Sequence, residues 1–161
     1  MTIRWSSYYH FSVTKAASEK PYLNRVRNQI NLIIMSQITL EALGKEKGLY
    51  LSHALDKVWL QNGVQGLGEV FVLEQRGDRV ALACTGGEQG KYLSHAFEKL
   101  WLQDGVQGEG EEWIMVDHGN GNVSFNCLGK ETGLTLSHAF GKMWLQNGYQ
   151  GEGELWAMRN Y

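Results

Sequence analysis

One stretch of this chain occurs three times, as Leu51-Ser-His-Ala-Leu-Asp-Lys-Val-Trp-Leu-Gln-Asn-Gly63, Leu93-Ser-His-Ala-Phe-Glu-Lys-Leu-Trp-Leu-Gln-Asp-Gly105 and Leu136-Ser-His-Ala-Phe-Gly-Lys-Met-Trp-Leu-Gln-Asn-Gly148. The copies start 42 and 43 residues apart. A period of that length marks a repeat architecture, in which each unit buries its apolar face only against its neighbours. Three units are what the chain has to close a core with.

Each unit has its own internal order. It opens on an alternating segment, Ile38-Thr-Leu-Glu-Ala42, Val80-Ala-Leu-Ala-Cys84 or Val123-Ser-Phe-Asn-Cys127. Apolar residues two apart give a strand with one buried face. A turn at Gly44, Gly86 or Gly129 leads to a short strand ending at Leu51, Leu93 or Leu136. A tight connection over Ser-His-Ala is expected next, then a third strand, Lys57-Val-Trp-Leu-Gln61 and its counterparts. Asn62-Gly63, Asp104-Gly105 and Asn147-Gly148 carry turn chemistry. A Gln-Gly-x-Gly-Glu loop passes into the fourth strand, at Val70-Phe-Val-Leu73, Glu112-Trp-Ile-Met115 and Leu155-Trp-Ala-Met158.

A propeller needs at least about four blades to close a ring. Three four-stranded units close instead into a β-trefoil, with first and fourth strands forming a six-stranded barrel and second and third strands forming cap hairpins. The expected fold class is therefore all-β, a β-trefoil with pseudo-threefold symmetry. It spans residues 35–161, with repeats at about 36–76, 77–119 and 120–161. The expected core is Ile38, Leu40, Leu51, Val58, Leu60, Phe71, Leu73 and their equivalents.

Residues 1–34 lie outside the repeat. They carry five basic side chains and one acidic, leaving ten basic against sixteen acidic in the remainder. We expect this extension to be disordered or dispensable, the alternative being that Met35 is the natural start. No apolar h-region follows a basic start, so no secretory signal is read. The expected location is cytoplasmic, with signal-independent secretion left open. No apolar run approaches the roughly 18 residues of a membrane helix, so a soluble protein without membrane insertion is expected. The formal charge of −2 argues against nucleic acid as a partner. Cys84 and Cys127 stand at equivalent places where the first repeat has Ala42, which reads as a small buried position holding reduced thiols.

The segments Val80-Ala-Leu-Ala-Cys84, Gly90-Lys-Tyr-Leu-Ser94 and Leu100-Trp-Leu102 resemble the fascin and hisactophilin branch of the trefoil superfamily. There a Gly-x-Tyr-Leu-Ser/Thr segment follows a Val-x-Leu strand and precedes an alternating third strand. The resemblance spans about residues 36–161 and implies the trefoil fold, with actin filaments as a partner. The ricin-type lectin branch is marked by Gln-x-Trp late in each repeat. Here the residues two before Phe71, Trp113 and Trp156 are Glu69, Glu111 and Glu154, expected as solvated loop charges, so that hallmark is absent.

Alternation makes the third strand the candidate site. With Val58 and Leu60 facing the core, Lys57, Trp59 and Gln61 face outward. The same holds for Lys99, Trp101 and Gln103, and for Lys142, Trp144 and Gln146. An outward indole beside an ammonium and an amide suits a pyranose, whose C–H face packs on the ring while its hydroxyls meet the polar groups. The turn residues Asn62, Asp104 and Asn147 extend each site. His53, His95 and His138, expected on the hairpin turns, would complete it. These polar positions are nearly identical in three copies although the first strands have diverged.

Other chemistries are weaker. A His₃ metal site would need the three imidazoles to converge on the symmetry axis, with no carboxylate or Cys fixed nearby, so no metal and no cofactor is read. Each Ser–His pair is adjacent in sequence, and neighbours on a strand point to opposite faces, so an enzyme is not expected. The leading expectation is a multivalent carbohydrate-binding, lectin-like module acting on glycans or glycoconjugates. The alternatives are a fascin-like actin-binding protein, or a structural or inhibitory trefoil with another protein partner. An excess of acidic groups in the repeats is a poor complement to acidic filaments.

Overall fold

A computed structural model describes residues 36–161; the expectation for residues 1–34 lies outside them. The first repeat contains β1 (Ser36–Ala42), β2 (Leu49–Ala54), β3 (Lys57–Asn62) and β4 (Phe71–Arg76). The second contains β5 (Arg79–Cys84), β6 (Lys91–Ala96), β7 (Lys99–Asp104) and β8 (Trp113–Asp117). The third contains β9 (Asn122–Cys127), β10 (Leu134–Ala139), β11 (Lys142–Asn147) and β12 (Trp156–Asn160). Short 3₁₀ turns are the only described helical elements, and none is long and apolar enough to cross a membrane.

The barrel follows from the pairing. Antiparallel ladders join β1 to β4, β4 to β5, β5 to β8, β8 to β9, β9 to β12 and β12 to β1. That ring of first and fourth strands is closed, so no barrel edge is left exposed. The hairpins β2–β3, β6–β7 and β10–β11 stand off it. This is the β-trefoil expected from the repeats.

The core is the set that alternation selects. Ile38, Leu40, Leu51, Phe71 and Leu73 are buried, and Val58 and Leu60 pack against them half-buried. Trp113 and Trp156, which replace Phe71 in the later repeats, are fully buried, and their indole N–H groups donate to the carbonyls of Leu93 (3.2 Å) and Leu136 (3.4 Å). Cys84 and Cys127 are free and 2% exposed, and burial pushes both thiols up to about 12.

Each hairpin meets its barrel strand through one residue pair, Glu41↔Tyr50, Ala83↔Tyr92 or Asn126↔Thr135. So sparse a backbone junction needs side chains to set the hairpin's position. Glu69, Glu111 and Glu154 do this, and they are buried at 5% exposure rather than solvated. Ser52, Ser94 and Ser137 donate to one oxygen of each carboxylate at 2.6–2.8 Å. The other oxygen accepts two backbone N–H groups of the following loop, from Gln65 and Gly66 in the first repeat (2.9 and 3.1 Å). Gln107 and Gly108, and Gln150 and Gly151, repeat the arrangement. Three donors on one carboxylate satisfy a buried charge. The loop comes so close that a Cβ on Gly68 would lie 3.2 Å from the His53 carbonyl oxygen, which accounts for glycine there.

Glu111→Ala should therefore cost about 3 kcal/mol, because it strands a hydroxyl and two amides. Glu98→Ala, at an exposed hairpin turn, should change stability by less than about 0.5 kcal/mol. Chemical denaturation of the two variants measures the contrast.

Candidate functional site

The hairpin turns lie two residues beyond their expected position. Ser52, His53 and Ala54 belong to β2, and the turn is made by Leu55 and Asp56, both at positive φ (48° and 59°). Phe97 and Glu98 (49° and 58°) and Phe140 and Gly141 (52° and 68°) repeat it. Two central residues with φ > 0 form the type I′ turn whose twist matches a hairpin. Its usual signal is Asn-Gly. Leu-Asp and Phe-Glu give no such signal, which is why the connection is misread from sequence. A bulky residue held at positive φ costs on the order of 1 kcal/mol.

That shift moves the histidines. The register pairs Ser52 with Trp59 and His53 with Val58, so each His faces inward, across the strand from its Trp. His53, His95 and His138 are 1–2% exposed. Their rings meet Phe71, Trp113 and Trp156 edge-on, with centroids 4.5–4.7 Å apart. Nε2 donates to the carbonyl of Val70, Glu112 or Leu155 at 2.9–3.0 Å. The expected union of His with the Lys, Trp and Gln cluster is therefore corrected: each imidazole locks a hairpin to its own fourth strand. No group of His, Cys, Asp or Glu among the described residues is placed to hold a metal ion.

The Lys, Trp and Gln residues of the predicted cluster do share one outward face, whereas Asn62, Asp104 and Asn147 at the strand ends fall on the alternate one. Trp59 is 37% exposed, and Trp101 and Trp144 are half-buried. Each indole N–H donates to the Gln two residues on, from Trp59 to Gln61 at 3.0 Å, Trp101 to Gln103 at 3.2 Å and Trp144 to Gln146 at 3.0 Å. The bond fixes the ring and leaves the Gln NH₂ as a donor. Lys57, Lys99 and Lys142 are exposed, and no carboxylate among the described residues pairs with them. Asn62, Asp104 and Asn147 are exposed, and their carbonyls accept from Gln65, Gln107 and Gln150 at 3.1–3.2 Å. The hairpins gather around a shallow cavity of about 490 Å³, lined by Trp59, Lys99, Lys142 and Trp144 among others.

Sequence reasoning missed a second feature. Leu55, Phe97 and Phe140, at the strained turn position, are 84%, 82% and 89% exposed. Beside Phe140 a cleft of about 250 Å³ opens between the third and first repeats, and beside Phe97 one of about 240 Å³ opens between the second and third. The available signal was a large apolar residue kept in all three copies between Ala and a residue of turn type, Asp56, Glu98 or Gly141.

The buried histidines have a pH consequence. Burial pulls all three below the ordinary imidazole value, and the carbonyl hydrogen bond offsets this only in part. Nδ1 of each is buried without a partner, so a proton there would be stranded. The unfolded chain thus binds more protons between the lowered folded values and about 6.5, and stability rises with pH across that window. The midpoint of thermal unfolding should be flat above about pH 7 and fall progressively below about 6.5. His53→Gln, whose amide can still donate to Val70, should make the slope shallower.

No family model matches the sequence, and no curated protein matches it. Solved structures do. The structure described as SeviL bound to asialo-GM1 saccharide aligns with a TM-score of 0.63 at 14% identity, over 78% of this chain and 98% of that one. The designed threefold-symmetric protein ThreeFoil aligns at 0.63 and 16% identity, over 78% and 99%. The Polyporus squamosus lectin bound to a human-type influenza-binding epitope aligns at 0.60 and 15% identity, over 78% of this chain and 49% of that one. Identities this low establish a shared fold and no branch within it: the chain is a β-trefoil.

Proposed function

We propose that this protein binds glycans without transforming them, through repeated shallow sites on its hairpin cap. The observation that carries this is the Trp–Gln–Lys array, present in three copies on an outward face with no folding duty for its polar ends. Trp59, Trp101 and Trp144 offer a ring held in place by its Gln acceptor. Such a platform loses little entropy when a pyranose packs on it. The Gln amide and the unpaired Lys supply donors to ring hydroxyls, and the cavity between the hairpins brings two indoles and two ammonium groups together. One structural neighbour bound to a saccharide and another that is a lectin bound to a human-type influenza-binding epitope support a trefoil frame used in this way. Single shallow sites are weak, and repetition on one rigid body raises avidity on a surface dense in glycans.

A glycan array probed with the whole chain tests the proposal. Binding should be lost by about tenfold or more in the Trp59→Ala, Trp101→Ala, Trp144→Ala triple variant, a change of about 1.4 kcal/mol. Circular dichroism should report an unchanged β fold. A silent array under multivalent display would sink the idea.

A further inference from the structure

The two clefts between repeats are copies of each other. The cleft between the third and first repeats is walled by Phe140, Glu152 and Lys45 over a floor of His138. The cleft between the second and third is walled by Phe97, Glu109 and Lys130 over His95. These residues correspond position by position along the repeat. Each Glu lies against a glycine at positive φ, with Glu152 Oε2 2.9 Å from where a Cβ on Gly44 would stand and Glu109 Oε2 2.8 Å from one on Gly129. Glycine thus lets the carboxylate sit in the wall. Glu109 is also 3.5 Å from Arg79. Lys45 and Lys130 are exposed without an ion-pair partner among the described residues.

The junction between the first and second repeats keeps the histidine and the glycine, as His53 and Gly86, but differs at the other three places. Its equivalents are Leu55, Leu67 and Gly87 in place of Phe, Glu and Lys. Leu67 packs on Gly86, 3.0 Å from where a Cβ would stand. Lys91 ties Asp56 to Glu88 across the junction. Neither the carboxylate nor the free ammonium of the other two clefts is present there.

We propose that the clefts at Phe97 and Phe140 are matched subsites for a single neutral sugar ring, and that the first junction is not. The assignment rests on the glycan-binding reading above and adds sites separate from the Trp faces. The chemistry is that of a hexose. An exposed phenyl ring accepts the C–H face, a carboxylate accepts from neighbouring hydroxyls, and an ammonium donates. A volume near 250 Å³ lies below the roughly 300–1,000 Å³ of drug-sized sites, the scale of one ring. Aromatic side chains held in strained turns with little packing of their own are placed where function repays strain.

The test is a site-resolved NMR titration of the full chain with galactose, glucose and N-acetylglucosamine in turn. The Gly110 and Gly153 amides, which line the two clefts, should shift, and Gly68 at the first junction should not. The Phe97→Gly, Phe140→Gly variant should lose these shifts and weaken binding at least tenfold. Its thermal midpoint should hold or rise, because glycine relieves the positive φ, whereas a structural role for the rings would lower it. Leu55→Phe, Leu67→Glu and Gly87→Lys together should make Gly68 respond as well. Sugar binding that survives Phe97→Gly, Phe140→Gly but is lost with the three Trp→Ala changes overturns the cleft subsites and leaves the Trp-face reading standing. Absence of any sugar response, together with a silent glycan array, overturns both.

Discussion

Each hairpin of this trefoil is held by a buried polar lock, and the placement of everything on the cap depends on it. The carboxylate of Glu69 collects a Ser52 hydroxyl and two loop amides, while His53 donates to Val70 from the opposite face of the same strand. The lock recurs in the other two repeats. It makes up for a backbone junction of one residue pair per hairpin. A charged, fully coordinated group is directional in a way that apolar contact is not, so it sets the hairpin's angle as well as its depth. With both faces of β2 occupied in this way, the outward face of β3 is left to carry Trp, Gln and Lys.

The same lock explains why internal repetition is a hazardous guide to function. Polar residues kept identical in three copies look like a binding site, because a core has no use for them. Here Ser, His and Glu are kept because the core does use them. Lys57, Trp59 and Gln61 remain outside that account, since their polar ends contact only each other or solvent. Divergence is informative in the opposite sense. Leu67 and Gly87 break the pattern of Glu and Lys at one junction only, and the repeat symmetry makes that break visible.

Much of the architecture was legible before any coordinates. Alternation in Ile38-Thr-Leu-Glu-Ala42 and its equivalents is a local property, because a strand with one wet face must alternate. Counting three four-stranded units then leaves few ways of closing a sheet. The turn was not legible, because Leu55-Asp56 and Phe97-Glu98 adopt a geometry that local propensity assigns to Asn and Gly. A register error of two residues at that point was enough to draw the histidines into the wrong site. The hairpin's tertiary docking overrides the local preference of its turn.

Sequence alone determined the repeat, the strand order, the apolar core and the outward side of β3, all of which follow from periodicity and chain closure. Tertiary structure alone decided which polar residues are buried, because that depends on what the loop from Gln65 to Glu69 folds back upon. It also decided that the clefts lie between repeats. Their walls come from segments about twenty residues apart, as Glu109 and Lys130 do, or from opposite ends of the trefoil, as Lys45 and Glu152 do, and no local pattern brings such residues together. Separation along the chain carries no information about contact until the barrel closes.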